Sequence, residues 1–519
     1  MPIFTTYFSD TQITLLMVAS ASLLSGLLFH IRGKEHLAVG FLLLTAFSVF
    51  CFAALLDPFL NLWDERFHAL VAKNLMHHPF LPTLYDDPVV NMAYDRWDRY
   101  NIWLHKQPLF LWQIALSFKV FGISEFSLRL PSVLLGVMFV YIGYRSGKLL
   151  INKRAGYITG ILIISNLYLL ELIGGWQACD HNDFTFMVYV SLSIWSFIEY
   201  YFSGKKIWLY LTGIFSGMAI LTKWLAGLLI YLGWSVLKLQ QKKYKFEDIK
   251  DLLTALGITL PIAIPWQIFT FLSYPVEAAL AYKLNASHFS TAVDGHAGTF
   301  WSHFEVFYVL YGELAPFLVV PAFFFMYKKS RDIKMFSALL SLVLFVYLFF
   351  SLAATKMAAF SLIVAMIIFI AFASLFDGVL DHIKKTIPGK RITNFIFFIS
   401  VIGIVLMRFD IEHLQEKHTL WKAENTWTRM LSHNKEVFQS LRLPGNTVLF
   451  NVLGRHYIEA MFYTGYPAYN FIPSKEQYDD LKQKGRTIAV FKLTDGELPD
   501  YLKNDSSLII INEELQGNE

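Results

Sequence analysis

Twelve apolar stretches, each near the 17–25 residues that cross a bilayer as a helix, dominate this sequence. They fall near 11–30, 37–56, 132–150, 156–174, 184–202, 207–222, 225–240, 251–272, 303–326, 335–354, 357–375 and 393–408. Only 16% of the 519 residues are charged, where a soluble domain carries about a quarter. The chain is therefore predicted to be a polytopic α-helical membrane protein of about 12 spans. Forty-eight Phe and 26 Tyr suit lipid-facing helices and aromatic belts at the interfaces. A net charge of +4 gives no sign of nucleic-acid binding. Two cysteines, Cys51 and Cys179, make neither a disulfide framework nor a Cys metal cluster. The apolar run from residue 11 has no basic residue before it and reads as a retained span.

Lys and Arg set the sidedness of such a chain. One set of alternate loops carries Arg32 and Lys34; Lys148, Lys153 and Arg154; Lys205 and Lys206; Lys242, Lys243 and Lys245; Lys328, Lys329, Arg331 and Lys334; and Lys384, Lys385, Lys390 and Arg391. These six loops are expected to be cytoplasmic. The opposite, extracytoplasmic side then receives a large first loop at 57–131, the segment GWQACDHND ending at Asp183, Thr222-Lys223-Trp224, DGHAGTFW (294–301) and Thr355-Lys356-Met357. The segment Pro108 to Phe121 is apolar but too short to span, and is expected to lie along the interface or re-enter.

From about 410 the pattern changes to short apolar runs at 447–452, 487–492 and 507–511, alternating with helical stretches at 454–464, 474–484 and 496–503. This predicts a small α/β domain with partly parallel strands. It has no GxGxxG or Walker loop and so no nucleotide signature. The predicted organisation is two N-terminal spans (1–56), the first loop with interfacial helices (57–131), the bundle (132–408) and the C-terminal α/β domain (409–519).

The first loop holds Asp57, Asp64, Glu65, Asp86, Asp87, Asp95, Asp98 and several histidines, and each charge at a bilayer centre costs about 2.5–3.5 kcal/mol. Within it WDERFHALVAKNLM (63–76) has helical spacing, with Phe67, Leu70, Val71 and Met76 as the apolar stripe. Asp64 and Glu65 suit the helix dipole in a first turn, or a general base at the mouth of a cavity. Asp57, before Pro58, reads as a helix stop. Lys106 can snorkel to headgroups or pair with a phosphate. Lys223 and Lys356 are also lysines at the outer ends of helices, against the inward bias of positive charge, and with Arg129 the three make a candidate cradle for lipid-linked phosphate. His105 and His296 are candidate ligands of a divalent metal, set against ordinary satisfied histidines. Asp183 suits a helix N-cap, and is also sided to bind a sugar hydroxyl or a metal.

Taken together these pieces resemble the GT-C glycosyltransferases that use polyprenyl-phosphate sugars, in particular the bacterial aminoarabinose (lipid A) transferase and protein O-mannosyltransferase-like group. The resemblance rests on WDERFHALVAKNLM, on HKQPLFLWQIALSFKVFGISEFSLRLPS (105–132), on GMAILTKW (217–224), LPIAIPW (260–266), DGHAGTFW and FSLAATKMAAF (350–360), in order. It implies an inverting transferase without a nucleotide-sugar. Asp64 would be the catalytic carboxylate. Lys106, Arg129 and Lys223, with help from Lys356, would stabilise the leaving polyprenyl phosphate. Glu65 and Asp183 would bind acceptor, sugar or metal, and His105 with His296 would occupy positions that hold zinc, magnesium or manganese in some members. The implied partners are a polyprenyl-phosphate-linked sugar, a glycolipid or protein acceptor, membrane lipid and a separate flippase for the donor. The chain departs from the pattern at Gln107, where the first proline after the lysine stands, at Trp224, where glycine follows the lysine, and at His105, where aminoarabinose transferases have an acid.

Overall fold

A computed structural model describes residues 8–90, 96–178, 180–240, 246–387, 389–418, 426–493 and 497–517. Asp95, Cys179, Lys242, Lys243 and Lys245 lie outside the described residues. The chain is mostly helical: α1 (Asp10–Ile31), α2 (Glu35–Ala54), α3 (Asp64–Leu75), α4 (Pro108–Phe121), α5 (Glu125–Leu150), α6 (Lys153–Ile164), α7 (Leu167–Ile173), α8 (Asp180–Ser203), α9 (Lys206–Lys223), α10 (Leu229–Leu239), α11 (Phe246–Ser273), α12 (Pro275–Ser290), α13 (Ser302–Glu305), α14 (Phe307–Tyr311), α15 (Ala315–Lys329), α16 (Ile333–Leu352), α17 (Ala365–Thr386) and α18 (Lys390–Arg408). After α19 (Ile411–His418) and α20 (Thr426–Ser440) come β1 (Thr447–Phe450), α21 (Tyr457–Thr464), α22 (Lys475–Gln483), β2 (Thr487–Phe491), α23 (Asp500–Lys503) and β3 (Ile509–Ile511). Contacts divide this chain into two compact units, one of residues 1–55, 106–110 and 129–411, the other of 56–105, 111–128 and 412–519.

In the first unit, eight helical segments among the described residues are long and apolar enough to cross a membrane, or ten if two bent pairs each count as one. This is fewer than the twelve predicted, for local reasons. The stretch 156–174 is broken into α6 and α7, which meet at 55°, and 303–326 into α13–α14 and α15, which meet at 85°. Residues 206–239 pass as one apolar stretch of 34 residues, but the chain turns back within it. Ser216 Oγ donates to the carbonyl of Gly227 at 2.7 Å, across 11 residues, a separation of about 16 Å in a straight helix. The segment 184–202 is part of α8, whose residues from Asp180 to Glu199 are all buried. A helix surrounded by protein does not need an apolar surface on every side, and α8 carries Asp180, Asp183 and Glu199.

The basic loops among the described residues come together at one end of this unit through ion pairs and hydrogen bonds. Glu35 takes Lys148 and Lys153, and the buried Asp377 takes Arg154 and Lys329. Lys206 meets Asp251 at 2.5 Å, the Tyr201 hydroxyl donates to Asp332 at 3.0 Å, and Arg331 N donates to the carbonyl of Leu150. Segments from 35 to 381 that the charge pattern assigned to one side are thus on one side.

The second unit is built around α3 and the C-terminal sheet. Its three strands run in the order β1-β2-β3, all parallel, with Thr447 opposite Thr487 and Ala489 opposite Ile509. β1 is buried along its whole length, as an apolar four-residue strand covered on both faces must be. Phe67, Leu70 and Val71 of α3 are buried as the stripe predicted, with Met76 half-buried. The rest of α3 is sealed too, including Glu65, Arg66 and His68. Arg66 Nη1 lies 3.4 Å from Glu459 Oε1 on α21, and His456 shares Glu459's other oxygen at 2.5 Å. At its far end, Lys73 Nζ donates to the carbonyls of Met461 and Phe462 at 3.1 and 2.8 Å. A lysine at a helix C-terminus satisfies orphan carbonyls and complements the dipole.

Candidate active site

In the second unit, α3 begins at Asp64 behind Trp63, whose φ of 65° and ψ of −122° lie in a region that favours glycine and costs about 1–3 kcal/mol elsewhere. Asp64 and Glu65 occupy the first turn as predicted, but the structure separates them. Glu65 is fully buried and its Oε2 accepts from Asn61 N at 2.6 Å. Asp57, also buried, accepts from Asn61 Nδ2 at 2.9 Å. These two carboxylates bind the turn that feeds the helix, whereas Asp64 is half-buried. His105 stacks on Trp97 with ring centres 4.4 Å apart and planes 14° from parallel, and its edge faces Trp103.

In the first unit, four sequence motifs converge. α9 ends at Lys223, followed by Trp224 with φ 58° and ψ −163°, again a conformation that favours glycine. Lys223 pairs with Asp183 of α8 and lies over the Phe360 ring at 4.4 Å. Asp183 does not cap α8, because the helix starts three residues earlier at Asp180. It is a buried first-turn carboxylate that pairs with Lys223.

The end of α12 and residues 354–356 are zipped together by backbone bonds. Ala354 N donates to Phe289 O at 2.9 Å, Thr355 N to His288 O at 3.0 Å and Lys356 N to His296 O at 2.8 Å. Thr355 Oγ1 accepts from Val293 N, donates to Thr291 O and shares a hydrogen bond of 3.1 Å with His288 Nδ1. Asp294 and Gly295 take positive φ values of 49° and 78° in the turn between. Lys356 Nζ donates to the carbonyls of Phe350 and Ser351 at 2.9 and 2.7 Å, so it closes the end of α16. Arg129 is fully buried, with Nη1 on Ala54 O at 3.0 Å.

His288 carried no signal in the sequence, lying in a helix with no motif. Burial first, then Lys223 and Lys106, lower its pKa from 6.5 to about 4, with Asp294 opposing. The imidazole is therefore neutral at pH 7 in a field of lysines. Its effect on stability has a definite sign: between pH 6.5 and 4 the unfolded chain binds a proton that the folded chain refuses, so stability falls as pH falls. Thermal unfolding in detergent at pH 7 and pH 4.5 should show a smaller acid loss for His288→Asn than for the parent. An equal loss in both removes His288 from that account.

Among the described residues no group of three or more His, Cys, Asp or Glu is placed to hold a metal ion. His105 is committed to an aromatic stack in the second unit, and His296 belongs to the first.

The fold is similar to that of solved membrane proteins of low sequence identity. Residues 105–269 match the family model described as dolichyl-phosphate-mannose-protein mannosyltransferase. ArnT from Cupriavidus metallidurans, in a crystal structure bound to undecaprenyl phosphate, is 14% identical with a TM-score of 0.62, over 86% of this chain and 88% of that one. The archaeal oligosaccharyltransferase AglB from Archaeoglobus fulgidus, in complex with an inhibitory peptide and a dolichol-phosphate, is 12% identical with a TM-score of 0.53, over 82% of this chain and 63% of that one. An uncharacterised protein of Aquifex aeolicus (strain VF5) is 29% identical over 171 residues, which is 33% of this chain and 31% of that protein. The match therefore takes in about a third of this relative's length.

Proposed function

We propose that this chain is an inverting glycosyltransferase that moves a sugar from a polyprenyl-phosphate donor to a glycolipid acceptor such as lipid A. The convergence of Lys106, Lys223, His288 and the 294–296 turn in the first unit carries the reading. It offers cationic and hydrogen-bonding groups to a phosphate monoester or diester without a nucleotide site. In the step proposed, an acceptor oxygen attacks the anomeric carbon, the glycosyl–phosphate bond breaks, and its electron pair leaves with the polyprenyl phosphate. Lys106 and Lys223 stabilise that developing charge, an electrostatic role, with Arg129 and Lys356 holding the surrounding backbone. Asp64 takes the acceptor's proton where that acceptor is a hydroxyl. An acceptor phosphate brings no such proton, and Asp64 then positions it.

The bound undecaprenyl phosphate of ArnT supports the donor class, and the sequence resemblance to aminoarabinose transferases favours a glycolipid acceptor. The mannosyltransferase family model favours protein as the second reading. A lipid-linked saccharide transporter is the lower alternative, since the charged groups described sit at helix ends instead of through the bundle interior. The site is proposed to face the periplasm of a bacterial inner membrane, opposite the basic loops, which makes a donor flippase a functional partner. An ion at His105 or His296 would need substrate oxygens to complete its shell, and activity after dialysis against a chelator reads that directly.

Mass spectrometry of lipid extracts and periplasmic glycoproteins, comparing cells with and without the chain, tests the proposal. Loss of one sugar from a glycolipid, with accumulation of a polyprenyl-phosphate sugar, is expected. Loss from a glycopeptide selects the protein reading. Unchanged glycans in cells lacking the chain overturn both.

A further inference from the structure

The two departures from the resembled pattern that follow a lysine, Gln107 and Trp224, are joined in the first unit by a single chain of contacts. Gln107 precedes α4 and is 3% exposed. Its Oε1 accepts from Gln267 Nε2 at 2.7 Å, and Gln267 comes directly after Pro265-Trp266 in α11. Gln267 Oε1 in turn accepts from the Tyr282 hydroxyl on α12 at 2.5 Å. The Tyr282 ring meets the Trp224 indole edge-on, with centres 4.3 Å apart and planes at 84°.

This relay has a direction. The phenol has one proton and gives it to Gln267, which turns the Gln267 amide nitrogen toward Gln107 and leaves Gln107 presenting its own nitrogen at the end of the line. Among the described residues that nitrogen donates to no protein acceptor. It is not among the fully sealed polar atoms of the described residues, so it keeps a small exposed area while the rest of the side chain is packed. A packed carboxamide whose N–H groups are oriented and unspent, one residue after Lys106, is built for an acceptor that this chain does not contain. A proline at 107 would supply no such donor.

We infer that Gln107 is a specificity-determining residue that donates a hydrogen bond to an oxygen of the glycosyl-phosphate donor, and that Tyr282 and Gln267 position its amide. The inference rests on the proposed function for the identity of the ligand. The oxygen is either a phosphate oxygen or a sugar hydroxyl beside it, which share the same acceptor chemistry.

The test uses the full chain in nanodiscs, with Gln107→Met, which keeps the shape and removes the donor, and Tyr282→Phe, which leaves Gln107 intact but frees both amides to flip. Donor KM, kcat, inhibition by polyprenyl phosphate alone and thermal stability are measured for each. For Gln107→Met an increase in donor KM of about tenfold or more is expected, the loss of one hydrogen bond to a charged or strongly polar group, with kcat little changed. Tyr282→Phe should raise KM by a smaller factor with stability near the parent's. A parallel weakening of polyprenyl phosphate inhibition assigns the bond to the phosphate, and an unchanged inhibition assigns it to the sugar. Either supports the inference. Parent-like KM and inhibition in both variants overturn it. If the parent binds polyprenyl phosphate but transfers no sugar, the transferase reading fails, and a loss of that binding in Gln107→Met still upholds the site. A parent that binds none overturns both.

Discussion

Asp64→Asn should reduce transfer to a hydroxyl acceptor by about 10²- to 10⁴-fold, the usual contribution of a positioned general base, without lowering the protein's abundance in membranes. The reason lies in how the structure divides the acids of the first loop. Asp57 and Glu65 are buried and spent on Asn61, while Asp64 is the half-buried carboxylate at the start of α3. Asparagine keeps its size and accepts a hydrogen bond but cannot take a proton. Glu65→Gln is the informative companion, since its loss should appear as lower stability and a modest fall in rate. Single-turnover kinetics with a purified donor separate the two. Parent-like chemistry in Asp64→Asn with a hydroxyl acceptor would remove Asp64 as the base, and a loss that disappears with a phosphate acceptor would confirm the proton's role.

Glu459→Ala is expected to destabilise the second unit by about 3–5 kcal/mol, the cost of leaving a buried charge without its partner. Arg66 and Glu459 are 2% and 3% exposed along their side chains, and His456 depends on the same carboxylate. The double variant Arg66→Met with Glu459→Leu should recover most of the loss, because it removes both charges and keeps the volume. Pulse proteolysis in urea measures each. A single variant that loses less than about 1 kcal/mol would mean that water reaches Arg66. Transfer activity should fall with stability in Glu459→Ala, since α3 carries Asp64.

What the sequence made legible follows from which forces act locally. Apolar run length revealed most of the spans, and Lys/Arg placement grouped loops that ion pairs such as Lys148–Glu35 and Lys329–Asp377 bring to one end. The strands at 447–450, 487–491 and 509–511 were visible because buried parallel strands are short continuous apolar runs. Bends were not legible. The 55° break between α6 and α7 falls at Ser165-Asn166, two polar residues that hydropathy averages away, and the reversal at Trp224 uses a backbone conformation that a tryptophan gives no reason to expect. His288, Gln267 and Tyr282 were invisible for another reason: each matters through partners more than ten residues distant, and no periodicity encodes that. The same holds for α3, whose charged partner on α21 cannot be found from either segment alone.

That last pairing sets a schedule for making the protein. Glu459 follows Arg66 by 393 residues, so at a synthesis rate of about 5–20 residues per second roughly 20–80 s pass before α3 can meet its counter-charge. Through that interval the intervening helices of the first unit are made while Arg66 has no counter-charge on α21. A chain that ends before Glu459 leaves the buried Arg66 of α3 without its counter-charge.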